Sequence, residues 1–333
     1  MTNYISNQKQ VQIGEESAWG TDVAPSIELS GIDSISISPS IVTDVIRAHR
    51  GGLVPGRDTL TARHEVQGTS IGGYVIYEQI PYFLNMLSAA AEGVSRVYAA
   101  PTTAQVTPDL QTLVFGYGDA VYNVTSAVAG QMTFTWNWGE PLKFSVDLMG
   151  HSVEEDAFAA LSETAAASLT YATACQCTVY IDALSGTLGA TAMTEVMGGT
   201  ITINPNRKYL RRVGSCFPSG TYDAPYWDTT ATLILEADAT SIAFADAIVA
   251  GATTELVRVK FTNGLTLGNE RSLTFDFAAI ARVPQLMTES EELMTVELQL
   301  EPIEEGDWTA PGAGDLDGYF KVTSVSGIAD LYV

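Results

Sequence analysis

Two stretches of this 333-residue chain recur in the same order, and both are written in the alternation of a β-strand. Ser34-Ile-Ser-Ile-Ser-Pro39 matches Thr200-Ile-Thr-Ile-Asn-Pro205. Further on, Ser145-Val-Asp-Leu-Met-Gly-His-Ser-Val-Glu-Glu155 matches Thr295-Val-Glu-Leu-Gln-Leu-Glu-Pro-Ile-Glu-Glu305. Between these anchors the same series comes twice: a basic loop, a strand, a helix and a second hairpin. The offset falls from 166 (Ser34 to Thr200) to 150 (Ser145 to Thr295), so the copies differ in their insertions. A repeat in fixed order argues for duplication, and the length suits two domains, each with its own core. The sequence therefore predicts an all-β, tandem duplicated β-sandwich or barrel. The copies fall at residues 1–160 and 161–333, each with a long hairpin and one flanking α-helix. The Ala/Ser/Thr-rich stretch 157–171 reads as the linker between them.

Period two runs through most of the chain. Met132, Phe134, Trp136 and Trp138 alternate with Thr133, Thr135 and Asn137, and Phe144, Val146 and Leu148 alternate with Ser145 and Asp147. Leu273, Phe275 and Phe277 alternate with Thr274 and Asp276. Such strands put apolar groups on one face and small polar groups on the other, as in antiparallel sheets with one wet face. Turn residues at 138–141 make 131–149 a hairpin. Helices are few. Ile80, Phe83, Leu84 and Leu87 share one stripe, with Pro81 tolerated in a first turn, and a second helix is expected from Ser241 to Ala250. The segment 307–333 ends in Ile328, Leu331 and Val333, which are expected to add an edge strand to a neighbour.

Charge narrows the partners. Thirty-nine acidic residues against sixteen basic ones leave a net −23. That excludes tight wrapping of nucleic acid, which relies on Lys and Arg, and docking on an anionic membrane. It suits a surface that DNA passes without sticking. Residues 1–8 carry neither the basic nor the apolar region of a signal peptide, and no apolar run is long enough to span a bilayer. Cys175, Cys177 and Cys216 form an odd set without zinc-site spacing, so they read as reduced thiols of a protein made in a cytosol.

Catalytic motifs fare poorly. Gly68-Thr-Ser70-Ile-Gly72 has the nucleophile-elbow pattern, but no α/β alternation surrounds it; it reads as a Gly-rich turn beside a strand. A hydrolase acting through Ser70 stays open as a third reading. The three histidines, His49, His64 and His151, lie far apart in sequence, which leaves little for acid–base work. Asp315-Leu-Asp317-Gly318 is a turn rather than a calcium loop, and no phosphate-cradling Gly-rich loop occurs. No cofactor or metal is implied. Trp136 and Trp138 read as core because they share the face of Met132 and Phe134; the other reading is a sugar-stacking platform.

The segment Ile13-Gly-Glu-Glu-Ser-Ala-Trp-Gly-Thr21, continued by Val23-Ala-Pro25, resembles the amino-terminal signature of the tail tube proteins of long-tailed bacteriophages. A long hairpin follows, with strands at 34–48 and 59–67 around a loop at 51–57, then the helix near Tyr82 and the hairpin 131–149, in that family's order. The resemblance implies a structural virion protein without catalysis. It would self-assemble into stacked rings whose inner strands close a hollow conduit for DNA. Two tube domains in one chain favour trimeric rings of pseudo-sixfold symmetry over hexamers carrying the second domain as decoration. Implied partners are other copies, a tape-measure protein, and the tail terminator and tail-tip or baseplate proteins. DNA transits without specific binding, and no membrane is involved. Assembly in the host bacterial cytoplasm and residence in the virion tail follow. The competing reading is a carbohydrate-binding or adhesin-type β-sandwich on a virion or cell surface.

Within the tube reading, basic residues cluster at matched places: Arg47, Arg50, Arg57 and Arg63 in copy one, and Arg207, Lys208, Arg211 and Arg212 in copy two. Acidic pairs also recur, Glu154 and Glu155, then Glu304 and Glu305. Basic loops of one ring are expected to meet acidic rims of the next. Asp147 and Glu297, on the polar phase of matched strands, are expected to face the lumen.

Overall fold

A computed structural model describes residues 9–332 apart from 39–40, 49–55, 67, 101–106, 119, 162–168, 185, 224–226, 252–253, 266–267, 291–292 and 304–319. The first half comprises β1 (Lys9–Glu16), β2 (Ile27–Leu29), β3 (Ile32–Ser36), β4 (Ile41–Ala48), β5 (Gly56–His64), β6 (Thr69–Tyr74), α1 (Ile80–Leu87), β7 (Ser95–Ala99), β8 (Leu110–Tyr117), β9 (Ala120–Asn137), β10 (Lys143–Met149) and β11 (Ser152–Glu155). The second comprises β12 (Cys177–Ala183), β13 (Ala192–Met193), β14 (Val196–Asn204), β15 (Lys208–Leu210), β16 (Gly220–Tyr222), β17 (Asp228–Glu236), α2 (Ala239–Ala250), β18 (Thr254–Thr262), β19 (Ser272–Ser290), β20 (Leu293–Pro302) and β21 (Phe320–Val325).

Strand order is written twice. In the first half it runs β1-β8-β9-β10-β6-β3, antiparallel throughout, with β2 on the other edge of β1. In the second it runs β12-β18-β19-β20-β17-β14, with β13 on β12. Each half is a sandwich folded about one very long strand. β9 is 18 residues long and β19 is 19; the first part of each pairs with β8 or β18, and the second part with β10 or β20.

The halves fuse through backbone pairing. β14 lies along the free side of β9, with Thr202 opposite Thr133 and Ile201 opposite Phe134. The approach is close. A Cβ on Gly199 would stand 2.6 Å from Cζ2 of Trp136 and 2.7 Å from the Thr232 carbonyl, so only glycine fits. The result is an eight-stranded inner sheet, β3-β6-β10-β9-β14-β17-β20-β19, that spans both halves. Alternation sends Met132, Phe134, Val146, Ile201, Leu233 and Leu298 into a core shared by the two halves. Edge-to-face contacts of Phe134 with Phe275 (5.0 Å) and of Trp136 with Phe261 (5.4 Å) cross the seam.

The helices sit where the apolar stripes place them. All eight residues of α1 are buried. α2 begins two residues before the predicted Ser241, because Asp238 and Ser241 form a reciprocal capping box. Three features depart from expectation. The first long hairpin is broken in two: β3 and β6 stay in the inner sheet, while β4 and β5 form a separate two-stranded ribbon. Trp136 is buried, but Trp138, past the end of the alternation, is 81% exposed. The closing segment joins its own chain rather than a neighbour: β21 pairs with β19 on one side and β7 on the other, and Leu331 is buried.

Candidate functional site

The inner sheet has a dry face and a wet one. Opposite the core it displays hydroxyls: Ser34 and Ser36 on β3, Ser145 on β10, Thr133 and Thr135 on β9, Thr200 and Thr202 on β14, and Thr230 and Thr232 on β17. Thr133 and Thr202 bring their oxygens to 3.3 Å across the seam. Charge on this face is mostly acidic, with Asp147, Asp228, Glu236, Glu297 and Glu301 against Lys143 and Arg282. Asp147 is exposed, and crowding on the sheet raises its carboxyl above the ordinary value by desolvation. Glu297 is half-buried on the same face of β20, and Arg282 pairs with Glu301 at 2.8 Å.

Asp147 and Glu297 share the wet face, but hydrogen-bond ladders set them at different levels. The ladder Ile35–Ile71–Val146 corresponds to Ile201–Ala231–Leu300. Leu300, rather than Val296, is therefore level with Val146, and Glu301 with Asp147. The level is carried by β14, β17 and β20; β19 separately shifts its register against β20 between Arg282 and Gln285 and again before Thr288. Pro284 lies inside the first shift, where a missing N–H breaks no ladder bond.

The second feature is an arm. The hairpin β15–β16 leaves the second half and lies over the first. At its base Arg207 is fully buried. It is paired with Asp223 through Nε (2.6 Å), and its guanidinium donates to the carbonyls of Met86, Leu87 and Ala129 at 2.8–2.9 Å. It supplies the last turn of α1 with the cation that turn lacks. The Tyr209 hydroxyl donates to the Val66 carbonyl and accepts from the Gly150 amide. At the tip the Phe217 ring is sandwiched between His64 (4.2 Å, 16°) and His151 (4.8 Å, 10°), while Trp19 Nε1 donates to the Pro218 carbonyl. Burial lowers the His151 pKa, and the neighbouring His64 adds to the effect.

The expected contact residues are scattered. Arg211 bonds buried Glu65, which Arg63 also meets at 2.9 Å; Arg211 remains 58% exposed, and Arg212 beside it is exposed. Glu154 and Glu155 are exposed on β11. Arg47 and Arg57 sit opposite each other in the β4–β5 register, but their side chains, like Arg50, Glu304 and Glu305 entirely, lie outside the described residues. Asp315 and Asp317 also fall outside them. Ser70 lies within β6, opposite Asp147, on a regular strand rather than a strand-to-helix elbow. Sequence reasoning missed the burial of Arg207 and the His64–Phe217–His151 stack. Each is assembled from distant segments, and local pattern gave no sign of it.

No helix among the described residues is long and apolar enough to cross a membrane. No curated protein matches the chain. Its residues 6–290 match the family model described as phage tail tube protein, a structural rather than an enzymatic family. With a match over most of its length and a duplicated all-β sandwich to go with it, the chain belongs to the phage tail tube protein family.

Proposed function

We propose that the chain is the repeating unit of a hollow tail tube, with two tube domains at residues 1–160 and 161–333 acting as two sectors of a ring. The observation that carries this is the eight-stranded inner sheet, apolar on one face and hydroxyl-lined on the other. At its ends stand β3 and the second part of β19, and neither has a further strand partner among the described residues. An open sheet with two such edges invites pairing, and closure into a barrel removes them.

Three copies supply 24 strands. At about 4.8 Å per strand the backbone barrel is at least ~37 Å across, and tilt widens it. Two copies give about 24 Å, which side chains would fill enough to exclude duplex DNA. Three is therefore the favoured number. The hydroxyl-rich face would then line a bore on which carboxylates, Asp147 and Glu297 among them, outnumber Lys143 and Arg282, so that phosphates are repelled more than held. Tape-measure, terminator and tip proteins would occupy the bore and the two ends, with tubes growing in the host cytoplasm and residing in the virion tail. Rings would stack through Arg47, Arg50, Arg57, Arg211 and Arg212 against Glu154, Glu155, Glu304 and Glu305. Each exposed pair is worth only ~0–1 kcal/mol, so repetition around the ring supplies the strength.

Negative-stain electron microscopy across protein and salt concentrations tests the reading. Hollow tubes with a regular axial repeat are expected; monodisperse monomers, even with nuclei supplied, would refute it. Arg211→Glu with Arg212→Glu should stop growth at single rings; because Arg211 also meets buried Glu65, exposed Arg212→Glu alone is the variant expected to leave the protomer fold intact, and normal tubes from both would sink the stacking assignment. A second reading rests on exposed Trp138. Glycan binding that Trp138→Ala abolishes, in a protein that forms no filaments, would establish it.

A further inference from the structure

The seam inside the chain is a template for the seam between chains. We infer that β3 of one protomer pairs with the second part of β19 in the next, in the register that β14 already adopts on β9, with Ser36 opposite Arg282. This rests on the tube reading above and specifies its interface.

The register follows from the ladders. One runs Ser34–Gly72–Ser145–Thr133 across the first half and continues to Thr202 of the second. Its counterpart runs Thr200–Thr232–Gln299–Arg282 and then stops at an open edge. The residue that would continue it must correspond to Thr202. By the repeat, that residue is Ser36 on the β3 of another copy. The faces agree, since Ser36 and Arg282 are exposed on the wet side, the side that half-buried Thr133 and Thr202 share at the internal seam.

Two independent observations support the same neighbour. The first is the open edge of β3. In the free chain Lys9 and Tyr117 side chains donate to the Asp33 and Ile35 carbonyls, the kind of guard that open edges carry. The second is the pair of helices. α1 is wholly buried, and the second half's arm covers its C-terminal turn. α2 stands at the matching place without such a cover among the described residues: Val249 is 60% exposed, and only Ser241, Ala245 and Ile248 are buried. The β4–β5 ribbon is the first half's counterpart of the arm. Rotated onto the next protomer by the same operation, it falls over α2.

Paired cysteines test the register. Thr133→Cys with Thr202→Cys is the internal control and should close within one chain. Protomers carrying Ser36→Cys mixed with protomers carrying Arg282→Cys, assembled and then oxidised, should give covalent dimers with one of each, identified by peptide mapping. The double variant should ladder to a trimer and stop. Tubes that form while only the control closes would overturn the inference and leave the tube reading standing, as would Ser36–Ser36 dimers. A ladder that continues to six would keep the pairing and replace the trimer by a hexamer. If neither rings nor tubes form under any condition, the tube reading fails and the seam fails with it.

Discussion

Replacing Arg207 by methionine should separate what the chain holds as one body. The guanidinium makes two bonds to Asp223 and donates to three main-chain carbonyls of the first half, all inside the protein. Methionine preserves much of the volume, so packing changes little and the loss is polar. It takes two hydrogen bonds and a positive charge from the buried Asp223 carboxylate and the donor from the last carbonyls of α1. Removing one partner of a buried ion pair costs about 3–5 kcal/mol. At about 3 kcal/mol per molar urea, that lowers the unfolding midpoint by roughly 1–2 M. The loss falls on the contact between halves, so hydrogen exchange should quicken first at α1 and along the β9–β14 seam. Urea titration followed by tryptophan fluorescence, with exchange mass spectrometry on the same protein, measures both. Adding Asp223→Leu should recover part of the loss, because an apolar pair removes the stranded charge. An unchanged midpoint, or exchange that quickens equally everywhere, would refute the reasoning.

Two further effects follow from titrating groups. Burial, with Glu15 and Glu92 nearby, pushes the Asp109 carboxyl up to about 6. The folded protein holds that proton more tightly than the unfolded chain does, so stability falls as pH rises from about 4 to 6. Asp109→Asn should flatten this slope and stabilise the protein at pH 7 by about 1–3 kcal/mol, read by thermal unfolding across pH. Phe217→Ala should rehydrate His151 and return its titration, followed by NMR, toward the ordinary histidine value. Because a depressed histidine pKa loses its stabilising effect as pH falls through it, the wild-type arm should loosen in acid, and the variant's stability should depend less on pH.

Much of the architecture was legible because period-two alternation and burial are the same fact. Phe134, Val146, Leu273 and Phe275 alternate in sequence and all lie in the core. Ile80, Phe83, Leu84 and Leu87 announced α1 by spacing alone. The signal weakened where register intervenes. Pairing through β14, β17 and β20 sets Leu300, not Val296, level with Val146, and no local pattern reports which residues of two strands stand opposite. It failed where one side chain answers a distant segment. Arg207 looked like its neighbours Lys208, Arg211 and Arg212, yet it alone is sealed against α1 and Asp223. His64 and His151 met only because an arm from the other half brought Phe217 between them.

The pairing of β7 with β21 sets a clock on biosynthesis. β7 takes its strand partner from a segment translated some 230 residues later, and buried Arg96 waits for Ser326 at the same separation, then for the carbonyls of Ile328 and Ala329. A nascent chain, even with most of both sandwiches outside the ribosome, still holds an unpaired strand and an arginine whose one side-chain partner so far is Glu92. Non-local closure of this kind is slow, and exposed strands invite misassembly meanwhile. Translation of β21 therefore marks the moment at which β7 gains its partner, and a chain truncated before β21 exposes that edge to chaperones and proteases.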